Sequence, residues 1–418
     1  MGKLDIMRND KSKVFLKHEK RAFFQKDETK NALRDLAKAE KILIYCGAGV
    51  TYDLTNLGWD DLIKEVFEES FKEEDEEKQT IMNLLNSTSL DAKQKASIVM
   101  TYLEKKEKQT NNDGVSEKEK IIITEKLQEI LYKKRGWGRG NLLSNIVMLA
   151  MLLVKIGREV EIVTTNYDVY LLLEFKDFIR HQQEQPRRSI AGVKLKNFKN
   201  EELFTYMKET NGGGYVTFLH GRVDNDDKIQ FPSGSIVFSE YSYAAMRKAS
   251  LNYLVRQLRE KTLLCLGSSL SDEPLVHALS AMKKKAKKGN KKQRKHYALV
   301  TLPLPLVADK NDDQKSSDHH EALIMRGENI GLTILDPACF RHIAQFIEEL
   351  INVTKMQHLY KRDKITSAVL ESKIKEFSFY SELQEWHFFW EKLQENKWAD
   401  KLNYLILVDF LNHIKKYL

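Results

Sequence analysis

The chain has 418 residues, 42% of them hydrophobic and 31% charged, a balance that supports a sizeable core and excludes wholesale disorder. Its formal charge of +8 points to nucleic acid only until it is located: Lys283 to Lys295, KKKAKKGNKKQRK, holds nine Lys or Arg and no acid, so the rest sums to about −1 (8 − 9). The first residues show no secretory apolar region, and the longest apolar run, Ile146 to Val154, is too short to cross a bilayer. The three cysteines, Cys46, Cys265 and Cys339, have no CxxC spacing, so neither a disulfide framework nor a zinc site is expected. These features predict a soluble cytoplasmic protein without membrane contact.

In chain order, apolar positions three and four apart predict a lead-in helix over 12–40. KILIYC (41–46) then reads as a buried strand that breaks into Gly47-Ala48-Gly49. From Trp59 to about Leu153 the pattern is helical, a helical insertion over about 60–155, with an exposed loop expected at 104–120 from its charge and Asn/Gly content. Five further apolar stretches follow: EVEIVTT (159–165), YVTFLH (215–220), KTLLCLG (261–267), HYALVTL (296–302) and GLTILD (331–336). The run from Lys283 is expected as a solvated loop. The expected fold is α/β, a Rossmann-like parallel sheet over 1–350, with a C-terminal helical appendage over 351–418, because continuously apolar strands alternating with helices need both faces covered.

In such sheets ligands bind beyond the carboxyl ends of the strands, and four polar motifs fall there. Gly47-Ala48-Gly49 lets the backbone approach a pyrophosphate, though a glycine turn is also an ordinary βα connection. Thr164-Thr165-Asn166-Tyr167-Asp168 places Asn166 and Asp168 in the crevice, or serves only as a helix cap. His220-Gly221 offers an imidazole near neutral pH beside open space. Gly267-Ser268-Ser269-Leu270-Ser271-Asp272 supplies small donors suited to ribose and phosphate, or again caps a helix.

Together, GAG, TTNYD, HG and GSSL in this order resemble the sirtuin family, and more closely its bacterial antiphage-defence branch of NAD hydrolases, over about residues 35–345. The resemblance implies that Asn166 is the catalytic asparagine, His220 the general base and Asp168 the ribose-site acid. It also implies that Gly47, Ala48, Gly49, Gly267, Ser268 and Ser269 hold NAD, with Asp336 near the adenine. Residues 221–266 contain only Cys265 where deacylating sirtuins carry four zinc-binding cysteines, and the SGIPxFR pattern after GAG is absent. A zinc-less NAD glycohydrolase is therefore expected. The alternatives are a protein deacylase and a non-catalytic subunit that binds NAD or nucleic acid. The resemblance further implies a homo-oligomer partnered by a HerA-type ATPase, and the basic run, Lys283 to Lys295, is a candidate DNA contact.

Overall fold

All six apolar stretches are strands in the computed structural model, which describes residues 23–70, 77–110, 118–133, 141–184, 216–223, 236–289, 294–300, 321–337 and 341–363. These lie in the first of the chain's two units, Met1–Asp363; the second, Lys364–Leu418, and with it most of the expected appendage, is outside the described residues. The strands are β1 (Lys41–Cys46), β2 (Glu159–Thr164), β3 (Val216–Phe218), β4 (Thr262–Leu266), β5 (Tyr297–Leu299) and β6 (Thr333–Leu335). They form one sheet in the order β3-β2-β1-β4-β5-β6, with every pairing parallel. This is the expected α/β, Rossmann-like architecture. Because the chain builds outward from β1 on one side and returns to start β4 on the other, the strand order reverses between β1 and β4, where α/β sheets open a crevice.

Helices close both faces. They are α1 (Asp27–Lys38), α2 (Tyr52–Thr55), α3 (Trp59–Ser70), α4 (Lys78–Asn86), α5 (Ala92–Thr110), α6 (Lys118–Gln128), α7 (Asn141–Lys155), α8 (Tyr170–Glu184), α9 (Glu240–Glu260), α10 (Glu273–Gly289), α11 (321–330) and α12 (Arg341–Asp363). Leu43 and Tyr45 of β1 and Leu263 and Cys265 of β4 share one face, packed against Leu254 and Leu258 of α9 and Leu275 and Leu279 of α10. The strand period of two sends Ile42, Ile44 and Ile162 to the other face, where α7 packs on β2 and α12 packs on α7 and α1. The α7 sequence, NLLSNIVMLAMLLVK, is apolar around most of its circumference, as burial between layers requires.

The insertion between β1 and β2 carries α2 to α7 and a π turn, Glu129–Lys133. Three local expectations are corrected. Helix α5 runs to Thr110 and α6 starts at Lys118, so the loop expected at 104–120 is helical at both ends; its Glu, Lys and Gln residues are good helix formers even when exposed. Helix α10 runs through Gly289, so the basic stretch expected as a loop begins as helix, with its cations toward a helix C-terminus that favours them. Finally, a 3-10 turn at Ala48–Val50 and α2 precede Trp59, where helix was expected to resume. Helix α12 also crosses residue 350 without a break.

Candidate functional site

The crevice is shaped first by backbone. The Gly47 N–H donates to the Leu266 carbonyl and the Gly49 N–H to the Gly267 carbonyl, both at 2.9 Å. These bonds stitch the turn after β1 to the turn after β4. Gly267 has φ +61°, and a Cβ there would lie 2.5 Å from Val50 N; a Cβ on Gly47 would lie 2.5 Å from the Gly267 oxygen. The glycines therefore make room for each other, and the amides of Gly47 and Gly49 are engaged in this interlock. In the Ser-rich turn Leu270 also takes the left-handed conformation, φ 57°, unusual for a bulky residue.

Three polar side chains then meet in the buried interior. Thr51, just after the 3-10 turn, donates its hydroxyl to Asp168 Oδ2 (2.9 Å) and accepts from Asn166 Nδ2 (3.0 Å). Asp168 Oδ1 also accepts the Tyr170 N–H, at 3.3 Å, so the capping role read from the sequence is present as well. Asn166 Oδ1 is buried with no hydrogen-bond partner, an orphan acceptor of the kind that calls for a ligand donor. Burial raises the Asp168 carboxyl to about 6, against the lowering hydrogen bonds of Thr51, the backbone and Asn166. At neutral pH it is still mainly anionic.

His220 lies beyond β3, 7% exposed. Its Nδ1 is 3.3 Å from the Tyr243 hydroxyl, and its Nε2 is 3.3 Å from Asp272 Oδ1, close enough for an ion pair although outside strict hydrogen-bond geometry. The Tyr243 ring stands edge-on to the imidazole, 4.9 Å between centroids. Asp272 is held from behind by the Tyr45 hydroxyl (2.7 Å to Oδ2) and accepts the Leu275 N–H of α10 at 3.4 Å. Burial would raise the Asp272 carboxyl, but hydrogen bonding and charge from His220 and the Tyr45 hydroxyl outweigh it and hold it below the usual carboxylate range.

These groups line one cavity of about 380 Å³. Gly47, Ala48, Asn166, Asp168, His220, Gly267, Ser268 and Ser269 all border it; Gly49 does not, and serves as the buttress beneath. Asp336 is not brought to this cavity. It lines a separate one of about 500 Å³ along β6, with Arg294 and His296, which contains neither Asn166 nor His220. The reason is sheet order: Asp336 follows β6, an edge strand two places from β4. The insertion supplies much of the wall, through Trp59, Leu62, Lys93 and Leu131. Trp59 packs on Tyr167 (5.4 Å between rings). In the π turn, the Tyr132 hydroxyl accepts the Val169 N–H at 2.7 Å and so clamps the TTNYD loop.

Thr51, Tyr243 and Asp272 are the functional candidates that sequence reasoning missed. Asp272 stood inside a motif read for its small donors or as a helix cap, neither of which gives its carboxylate a part beside His220, and nothing local to Thr51 or Tyr243 marks them. Among the described residues no group of three or more His, Cys, Asp or Glu is placed to hold a metal ion, and no helix is long and apolar enough to cross a membrane.

Comparison with known families finds a match over part of the chain. No curated protein is similar enough to the chain to match it. Residues 160–324 match the SIR2-like domain, a span that takes in Asn166, Asp168, His220 and the GSSLSD turn and leaves Gly47-Ala48-Gly49 outside. Over that span the chain is similar to SIR2-like domains, which supports a sirtuin-like family and NAD-related chemistry.

Proposed function

We propose that this cavity hydrolyses NAD at the bond between nicotinamide and ribose, releasing nicotinamide and ADP-ribose. The observation that carries the reading is the convergence, at the strand-order switch point, of an orphan amide oxygen on Asn166, a buried carboxylate on Asp168 and an imidazole backed by a carboxylate, His220 with Asp272. Nicotinamide leaves as a neutral base, so the site needs little acid catalysis. Positive charge develops on the ribose instead, and a nearby fixed anion such as Asp168 stabilises it. The orphan oxygen of Asn166 accepts a hydrogen bond from a ribose hydroxyl or the attacking water and fixes its position. The His220 system removes a proton. The glycine interlock and the Ser-rich turn form the floor on which the rest of the dinucleotide rests.

The test is nicotinamide release from NAD by the purified protein, beside His220→Ala and Asn166→Ala. Each variant is expected to lose turnover by roughly 10²-fold or more while melting as the wild type does. Wild-type rates in either would overturn the assignment.

Because unchecked NAD loss is toxic, such an activity needs restraint until triggered. The resemblance of the four motifs to the defence branch supports a role in antiphage defence, as a homo-oligomer restrained or activated by a HerA-type ATPase partner. Co-expression and sizing test the assembly, and two separately eluting proteins would remove it. DNA contact through Lys283 to Lys295 is tested by neutralising that run; unchanged DNA affinity would remove that contact.

A further inference from the structure

His220 is surrounded in a way that a single general base does not require. Both ring nitrogens face protein groups: Asp272 Oδ1 at ion-pair distance from Nε2 and the Tyr243 hydroxyl hydrogen-bonded at Nδ1, each at 3.3 Å. A proton leaving a ligand in the cavity therefore reaches the imidazole by way of one of those partners. Asp272 is a nearly buried carboxylate, engaged by Tyr45 and by the start of α10. Tyr243 is the neutral partner, it carries a transferable proton, and it lines the same cavity as Asn166 and Asp168.

We infer that Tyr243, His220 and Asp272 form a proton relay in which the Tyr243 hydroxyl, rather than the imidazole, meets the ligand. The step balances without any further reactant. A ligand or water O–H gives its proton to the Tyr243 oxygen as the Tyr243 proton passes to His220 Nδ1. His220 becomes an imidazolium with Nε2–H facing Asp272, whose carboxylate holds the new charge, and the ligand oxygen keeps the electron pair. Tyr243 is thus a catalytic residue and Asp272 a positioning residue. Burial and the Asp272 charge push the Tyr243 hydroxyl well above its ordinary value, so it enters the cycle protonated. The other charges nearby are Lys93, 4.8 Å from the Tyr243 ring centre, and its partner Glu273, which also pairs with Arg247.

The catalytic consequence rests on the NAD hydrolase reading, so two measurements separate the claims. The first needs no turnover: NMR titration of histidine-labelled full-length protein, with the His220 signal assigned by its loss in His220→Gln. The relay requires a neutral His220 protonated on Nε2 with Nδ1 accepting. It also requires Asp272→Asn to move the Nε2 resonance and Tyr243→Phe to move the Nδ1 resonance. A proton on Nδ1, or an Nε2 resonance unchanged by Asp272→Asn, overturns it. Asparagine at 272 still accepts from Tyr45 and Leu275; if that variant does not fold, Tyr243→Phe decides alone. The second measurement is NAD turnover. Tyr243→Phe should lower kcat by roughly 10²-fold with NAD affinity held within about threefold, and Asp272→Asn should move the acid limb of the kcat profile to lower pH. Wild-type kcat in Tyr243→Phe overturns the relay and leaves the hydrolase reading standing. A wild type that stays inactive both alone and with the partner and DNA added removes the hydrolase reading, and the NMR result still decides the relay.

Discussion

Asp168 carries two demands at once. It must stay near Thr51 and the Tyr170 amide, and it must do so fully buried, which drives its carboxyl from 3.8 up to about 6. The sign of the pH effect follows from proton counting. Between 3.8 and about 6 the folded state binds the proton that the unfolded state has released. The contribution is therefore fully present below pH 3.8 and is lost as pH rises to about 6, roughly 3 kcal/mol at most from two units. Asp168→Asn removes this loss. Its melting temperature relative to wild type should climb as pH rises from 4 to 6, as thermal unfolding in matched buffers will show, and a difference independent of pH in that range would contradict the shift. If Asp168 serves as the fixed anion, NAD turnover at neutral pH should fall in the same variant.

Turns and strands set a second scale. The turn after β1 and the turn after β4 touch through glycine backbone alone, so Gly267→Ala meets both a left-handed φ and a clash with Val50 N. It should cost about 3 kcal/mol or more and loosen NAD binding, measurable by denaturant unfolding and calorimetry. At the opposite end of the same strands, Glu161 of β2 is fully buried and bonds to Lys261 and to the Tyr253 hydroxyl, while Lys261 also reaches Gln257 (2.6 Å) and Glu159 (2.9 Å). This pairing ties β2 to β4 across β1. Lys261→Met strands the Glu161 charge and should destabilise by about 3–5 kcal/mol, whereas the double variant Glu161→Leu with Lys261→Met should recover much of it, since no buried carboxylate is then left without its cation. Equal losses in single and double variants would show that the pair itself, and not the orphaned charge, matters.

Across the whole molecule, opposing groups share one pH window. His296, 2% exposed at the start of β5, accepts the Leu263 N–H at Nδ1 (3.1 Å), and burial with the nearby Arg294 charge lowers it from 6.5 to about 4. Here the unfolded state binds more protons between 4 and 6.5, so the contribution is present above 6.5 and lost as pH falls toward 4, opposite in sign to Asp168. The two partly cancel between about 4 and 6. Melting temperature should thus fall more steeply with acid in Asp168→Asn than in wild type, and less steeply in His296→Gln, in which the side-chain oxygen can still accept the Leu263 amide. Parallel curves for all three proteins would rule out the compensation.

The sequence by itself determined the elements and their polar ends. Continuous apolar runs mark all six strands, and four of them end in the Gly, Asn, His or Ser of the four motifs, because burial and turn chemistry are local properties written residue by residue. It misplaced helix ends in charged stretches, where exposed Lys and Glu support helix and loop alike. What only the tertiary structure decided is who meets whom. Placing β4 beside β1 brings Gly267 against Gly47 and Gly49, and folding back brings Thr51 to Asn166 across 115 residues of chain. Asp272 satisfied a local reading as a helix cap, so its bond to Tyr45 and its approach to His220 were invisible until strand order was known. Such contacts join residues that share no local pattern, and it is the order of strands in the sheet, paid for by burial of the whole core, that selects them.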